Sequence, residues 1–215
     1  MKPLIKKPSR NPSGRPKSVE KRQAILDSAA SHFMTSGYEH ASIEAIAKDA
    51  AVSKLTIYSH FSDKDDLFKA VIKRKCDSYN KPEGFSALKE MPPRQALEII
   101  ASNFIGLILS PDAIAMHRIV ETESLRHPTI AALFYEAGPS HLKYYFADLL
   151  NYWVGKKLLT IPNIDLAIDQ FFCLIKGETH MKMLFNLEKD PDPQYISKKI
   201  EAGVAMFLAF YGSPA

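Results

Sequence analysis

Residues 42–68 read SIEAIAKDAAVSKLTIYSHFSDKDDLF, and the spacing inside this stretch decides the fold. Ser42 is an N-cap residue before Ile43, Ile46, Ala47 and Ala50, which share one face of a short helix over 43–50. Ala51 and Val52 form a tight break. Ser53 opens a second short helix through about Ser59. Ser62 caps a longer helix over 63–79, with Asp63, Asp65 and Asp66 in its first turn and Leu67, Phe68, Val71 and Ile72 facing inward. Upstream, Ala24, Ile25, Ala29, Phe33 and Met34 recur at helical spacing over Ser18–Ser36, and Gly37 is the expected left-handed stop. Two short helices across a tight turn, braced by a preceding one, make a helix-turn-helix. Its second helix must present polar side chains to enter a major groove, and Lys54, Thr56, Ser59 and His60 are such groups. Ile57 and Phe61 anchor the opposite face.

The charge is distributed to match. Of the 28 Lys/Arg and 24 Asp/Glu in 215 residues, residues 1–80 hold 15 and 9, so the front is basic and the rear mildly acidic. A basic front suits a polyanionic partner. Residues 1–17 carry six cations, four prolines and no acid. They are expected to be a disordered arm, either solvated or following a narrow minor groove through Gly14-Arg15-Pro16-Lys17.

The remainder also reads as helix. Helices are expected near 94–109, 112–126, 128–136, 140–158, 164–188 and 193–211, broken at Pro111, Pro128, Gly138-Pro139 and Pro162. Asn80–Pro93, with Pro82, Gly84, Pro92 and Pro93, is the expected boundary between a unit over 18–80 and one over 81–215. No stretch alternates with period two, so the fold class is all-α.

The segments Ala24–Ala30, Phe33–Tyr38 and especially Ser42–Phe68 resemble the TetR family of transcriptional regulators. The resemblance implies DNA contacts at matching positions. Ser42 and Glu44 stand at the start of the second helix, Lys54, Thr56 and Ser59 face the groove, and Tyr58, His60 and Lys64 reach phosphates. Hydroxyls and amines at helix N-termini suit phosphate oxygens. Two positions depart from the family pattern. Ala51 replaces a glycine, which costs about 1 kcal/mol if the turn is left-handed. Leu55 stands where small residues are common. The segments Arg118–Glu121, His127-Pro128, Leu133–Pro139 and Phe171–Gly177 resemble the AefR-like subgroup of C-terminal domains.

That resemblance implies a ligand-binding and dimerisation domain, a homodimer through helices near 164–188 and 193–211, and a pseudo-palindromic double-stranded DNA operator. It further implies a repressor released by a small apolar or amphipathic effector. Candidate walls of a pocket are Phe104, Ile108, Met116, Val120, Tyr145, Trp153, Phe172 and Ile175, with Asn103 and His117 as polar anchors. The same residues also read as ordinary core.

Other chemistry finds little support. No nucleophile setting or phosphate-cradling glycine loop occurs, so no enzyme and no cofactor are expected. His117 and Glu121 are too few for a metal site. Cys76 and Cys173 form no CxxC pair, and the N-terminus shows no signal peptide, so a reducing cytoplasm is expected. The longest apolar run, Ile99–Leu109, is too short to span a membrane. The remaining alternatives are a regulator without an effector, a helical lipid or small-molecule carrier, and a membrane-surface protein using the arm.

Overall fold

The computed structural model describes residues 18–79 and 82–213, so the expected arm over 1–17 lies outside the described residues. Twelve helices follow in order among them: α1 (Val19–His40), α2 (Ile43–Asp49), α3 (Lys54–His60), α4 (Lys64–Asp77), α5 (Pro82–Leu88), α6 (Pro93–Ile108), α7 (Pro111–Glu123), α8 (Pro128–Ala137), α9 (Pro139–Gly155), α10 (Ile164–Lys176), α11 (Thr179–Leu184) and α12 (Pro193–Tyr211). The β-structure among these residues is one isolated bridge, Leu159 to Gly212. The fold is all-α.

Local chemistry explains the element starts. The side chains of Ser18, Ser42 and Ser53 accept from the backbone N–H three residues on. Proline opens α6, α7, α8, α9 and α12, where its missing N–H costs nothing. Pro111, Pro128 and Pro139, which read as breaks, are therefore helix starts, whereas Pro162 lies outside any helix, before the Asn163 cap of α10.

Four boundaries differ from expectation. Asp63, not Ser62, caps α4 by accepting from Asp66 N at 2.7 Å, and Asp66 Oδ2 reaches back to accept from Ser62 N at 3.0 Å. This reciprocal arrangement satisfies two otherwise orphaned donors. The expected linker over 80–93 contains α5, which buries Phe85 and Leu88. The expected helix over 164–188 breaks at Gly177, at φ 52 and ψ −153, so that α11 turns and buries Thr179 and His180. Gly37 does take positive φ, but at φ 77 and ψ 170 it is extended rather than left-handed helical, and the last turn of α1 resumes to His40.

Two hydrophobic cores result. One gathers Phe85 and Leu88 of α5 with residues of α6, α9, α10 and α12 around Trp153, Phe146, Phe171 and Phe207. The other gathers α1–α4 around Phe33, Ile46, Ile57 and Phe68. It also takes Met116 and Val120 from α7, and Ile130 and Ala137 from α8. So α7 and α8 follow the expected boundary in sequence yet share the core of the N-terminal helices.

Candidate nucleic-acid interface and apolar cavity

The α2–turn–α3 unit is built from its inner face outward. Ile46 and Ile57 are fully buried, which leaves the outer faces of both helices in solvent. The turn between them holds Ala51 at φ 51, the left-handed conformation that the sequence makes strained for alanine. Its neighbour Val52 closes the turn by donating to Ala47 O at 2.9 Å.

The eight candidate DNA contacts fall on this outer surface with differing freedom. Ser42 is exposed, and its hydroxyl is occupied as cap to Ala45 N at 3.1 Å. Glu44 pairs with Lys54, which holds the Glu44 carboxyl below the usual range. Thr56 is half-buried, with Oγ1 at 2.9 Å from Ser53 Oγ, and Ser59 Oγ donates to Thr56 O at 2.7 Å. His60 leans on Phe61. Tyr58 and Leu55 are the large side chains projecting from α3, at 50% and 79% exposure. Lys64 is placed differently. It sits over the Tyr38 ring at 4.6 Å and donates to Glu39 O at 2.9 Å, and burial lowers its pKa.

A cavity of about 890 Å³ opens between the two cores. Of the ten candidate wall residues, Phe104, Ile108, Met116, His117, Tyr145 and Phe172 line it. Four do not. Trp153 and Ile175 are fully buried in the C-terminal core, and Val120 is buried in the N-terminal one. Asn103 is half-buried on α6 and outside the wall. Helical spacing identified these residues as apolar or inward, but not which side of a two-sided helix meets the void.

Sequence reasoning missed a whole wall. Val71, Ile72, Lys75 and Cys76 of α4, Met34 of α1 and Phe134 of α8 also line the cavity. The inward stripe of α4 was legible, but its second neighbour was not. Most cations at the rim are paired. Lys75 reaches Asp112 at 2.9 Å, Arg74 reaches Asp27 at 2.7 Å, and Lys143 reaches Asp169 at 2.6 Å. Cys76 is pushed up to about 11 by burial, so it is a thiol rather than a thiolate.

His117 forms the polar end of the wall. Its Nδ1 lies 2.9 Å from Nε2 of His180, while Nδ1 of His180 is buried without a hydrogen-bond partner in the structure. Burial pushes both imidazoles down to about 4, with Lys176 adding repulsion to each and the His117 charge adding to His180. Arg118 fastens α11 beside them, donating to the carbonyls of Leu184 at 2.9 Å and Met183 at 2.6 Å.

Among the described residues no group of three His, Cys, Asp or Glu could hold a metal. No single helix there is long and apolar enough to cross a membrane.

Comparisons with known proteins agree with this architecture. Residues 25–71 match the N-terminal domain of the bacterial regulatory proteins of the TetR family, and residues 95–213 match the AefR-like transcriptional repressor C-terminal domain. The transcriptional activator FasR of Mycolicibacterium smegmatis is 31% identical over 113 residues, covering 53% of this chain and 51% of that protein. The regulator UidR of Escherichia coli K12 is 31% identical over 120 residues, 52% of this chain and 56% of that one. The matched stretches thus span about half of these relatives. Among solved structures, the flavonoid-responsive regulator FrrA is 29% identical, with TM-score 0.71 over 92% of this chain and all of that one. A TetR regulator from Agrobacterium tumefaciens, at 22% identity, shares the fold with TM-score 0.70 over 91% and 96% of the two chains. The chain belongs to the TetR family of transcriptional regulators and carries an AefR-like C-terminal domain.

Proposed function

We propose that the chain is a homodimeric repressor that binds a pseudo-palindromic operator through α3 and is released when a small apolar or amphipathic molecule enters the cavity. The observation that carries the reading is the shared wall. The cavity is bounded on one side by α4, which follows directly from α3, and on the other by α6, α9 and α10. A ligand there touches the helix that carries the reading head. By displacing α4 it would change the separation of two recognition helices, which must stand about 34 Å apart on DNA. DNA and ligand then oppose each other by one reciprocal coupling energy.

A dimer face is supported by exposed apolar side chains on the last long helices. Leu166 of α10, and Tyr195, Met206 and Phe210 of α12, are each more than half exposed. Exposed large apolar side chains of this kind are what a four-helix contact between two copies would cover.

The test begins with selection of bound fragments from genomic DNA, then titration of the recovered operator. Tyr58→Ala is expected to weaken operator binding about tenfold, the worth of one good phosphate hydrogen bond. Unchanged affinity overturns the contact assignment. Lys64→Ala is a less direct probe, because the ammonium holds Glu39 O. A reporter gene behind the operator should rise in a strain lacking the protein. A fall would make it an activator.

A further inference from the structure

Gly37 and Glu123 are 86 positions apart and meet at one point. Gly37 holds φ 77 and ψ 170, a region essentially closed to other residues. A Cβ built on it would run into Oε1 of Glu123. That carboxylate occupies the space because it accepts from two consecutive backbone amides, Tyr38 N at 3.0 Å on Oε1 and Glu39 N at 3.2 Å on Oε2. A carboxylate across two neighbouring N–H groups is a strong, charge-assisted and directional arrangement.

Both partners of this contact are placed to matter. Glu123 is the last residue of α7, whose earlier residues Asp112, Ala113, Met116 and His117 line the cavity. From His117 to Glu123 the helix rises about 9 Å as one rigid rod. On the other side, residues 38–40 lead straight into Ser42 and α2. The same short segment is tied to the start of α4, by Lys64 on Glu39 O and by Tyr38 Oη donating to Asp65. His127 pairs with the Glu39 carboxylate from the chain just beyond α7.

We propose that Glu123 is the positioning residue through which α7 reports the state of the cavity to the helix-turn-helix, acting on the Tyr38 and Glu39 amides. The proposal rests on the effector reading above for its purpose, but not for its mechanics. The route runs from α7 to the segment before α2 without passing along α4, although that segment also touches the start of α4. A displacement of α7 at Met116 and His117 pulls the carboxylate from the amides, and the segment before α2 loses its anchor. Gly37 is required because any side chain would push the carboxylate out.

The test uses amide hydrogen exchange on the full chain. In free protein, Glu123→Ala is expected to speed exchange at Tyr38 and Glu39 by at least about tenfold. Glu123→Gln, which keeps one carbonyl acceptor, restores part of the protection. Exchange within α6 and α10 stays as it was. With the selected operator bound, the unsubstituted protein should gain protection in both α3 and α7. Glu123→Ala should gain it in α3 alone. Equal operator-induced protection of α7 in both proteins overturns the proposal, as does its absence from the unsubstituted one. If no DNA is selected, the regulator reading falls instead, and the free-protein exchange still decides whether the carboxylate anchors the segment. Unaltered exchange at Tyr38 and Glu39 in Glu123→Ala overturns it there.

Discussion

The two hydrophobic cores differ less in composition than in what lies at their edges. The C-terminal core is a frame, in which Phe146, Phe171 and Phe207 are fully buried and stack edge-on or tilted across α9, α10 and α12. The N-terminal core is a lever. It centres on Phe33 and Phe68, 5.2 Å apart and edge to face, and it borrows α7 and α8 from the later half of the chain. The 890 Å³ cavity sits at the seam. On the proposed effector reading, two filled bodies with a void at the joint between them are what a ligand-responsive DNA binder requires. Interiors switch between discrete arrangements rather than deforming gradually, so a poorly filled seam is where two arrangements can compete.

This contrast is broken most directly by emptying each body in turn. Phe68→Ala is expected to cost about 3–5 kcal/mol and to loosen α7 and α8 along with α1–α4. Phe171→Ala should cost a similar amount but loosen α6, α9, α10 and α12. Denaturant unfolding gives the size, and regional hydrogen exchange gives the extent. If Phe68→Ala leaves α7 and α8 as protected as before, those helices belong with the frame and the lever shrinks to four helices.

The seam is sharpened by pH. His117 and His180 stay neutral in the folded chain down to about 4, whereas an unfolded histidine takes its proton near 6.5. Between those values the unfolded state binds more protons, so stability falls as pH falls. His117 alone should cost roughly 3 kcal/mol between pH 6.5 and 4, and the coupled pair at least about that much. Carboxylates contribute their own slope, so the informative quantity is the difference from the double variant His117→Gln with His180→Gln. Midpoints of denaturant unfolding at several pH values should show a flatter curve for the variant. Identical slopes would mean that water reaches the pair and that the α7–α11 joint is not dry.

Much of the lever was legible in the sequence and much of the seam was not, for one physical reason. Caps and short amphipathic faces act within four residues, so Ser18, Ser42, Ser53 and the inward set of α4 announce themselves. Even there, Asp63 and Ser62 compete for one cap, and only the reciprocal Asp66 bond decides between them. The cavity depends on contacts between residues far apart in the chain. Trp153 and Phe172 look alike as inward aromatics, yet one is sealed in the frame and the other faces the void. Gly177 read as part of a continuous helix because nothing local shows that Thr179 and His180 must turn inward. Glu123 carries no local signal at all, since its partners are 84 and 85 residues away.

The smallest expected effect tests the reading head itself. Ala51 sits at φ 51 between α2 and α3, in a conformation that costs an L-residue roughly 1–2 kcal/mol. Glycine removes that strain but gives the unfolded chain more freedom, worth about 0.4–1 kcal/mol in the opposite direction. Ala51→Gly should therefore stabilise by about 0.5 kcal/mol net, or ~1–2 °C in Tm for a chain of this length. The gain should appear in the lever and leave the cavity unaltered, because Ala51 is exposed and does not line it. Operator affinity should hold steady, since Val52 N still donates to Ala47 O and the turn keeps its course. A loss of stability would mean that the alanine methyl is compensated by a contact on the outer surface, and that the turn is less strained than its φ implies.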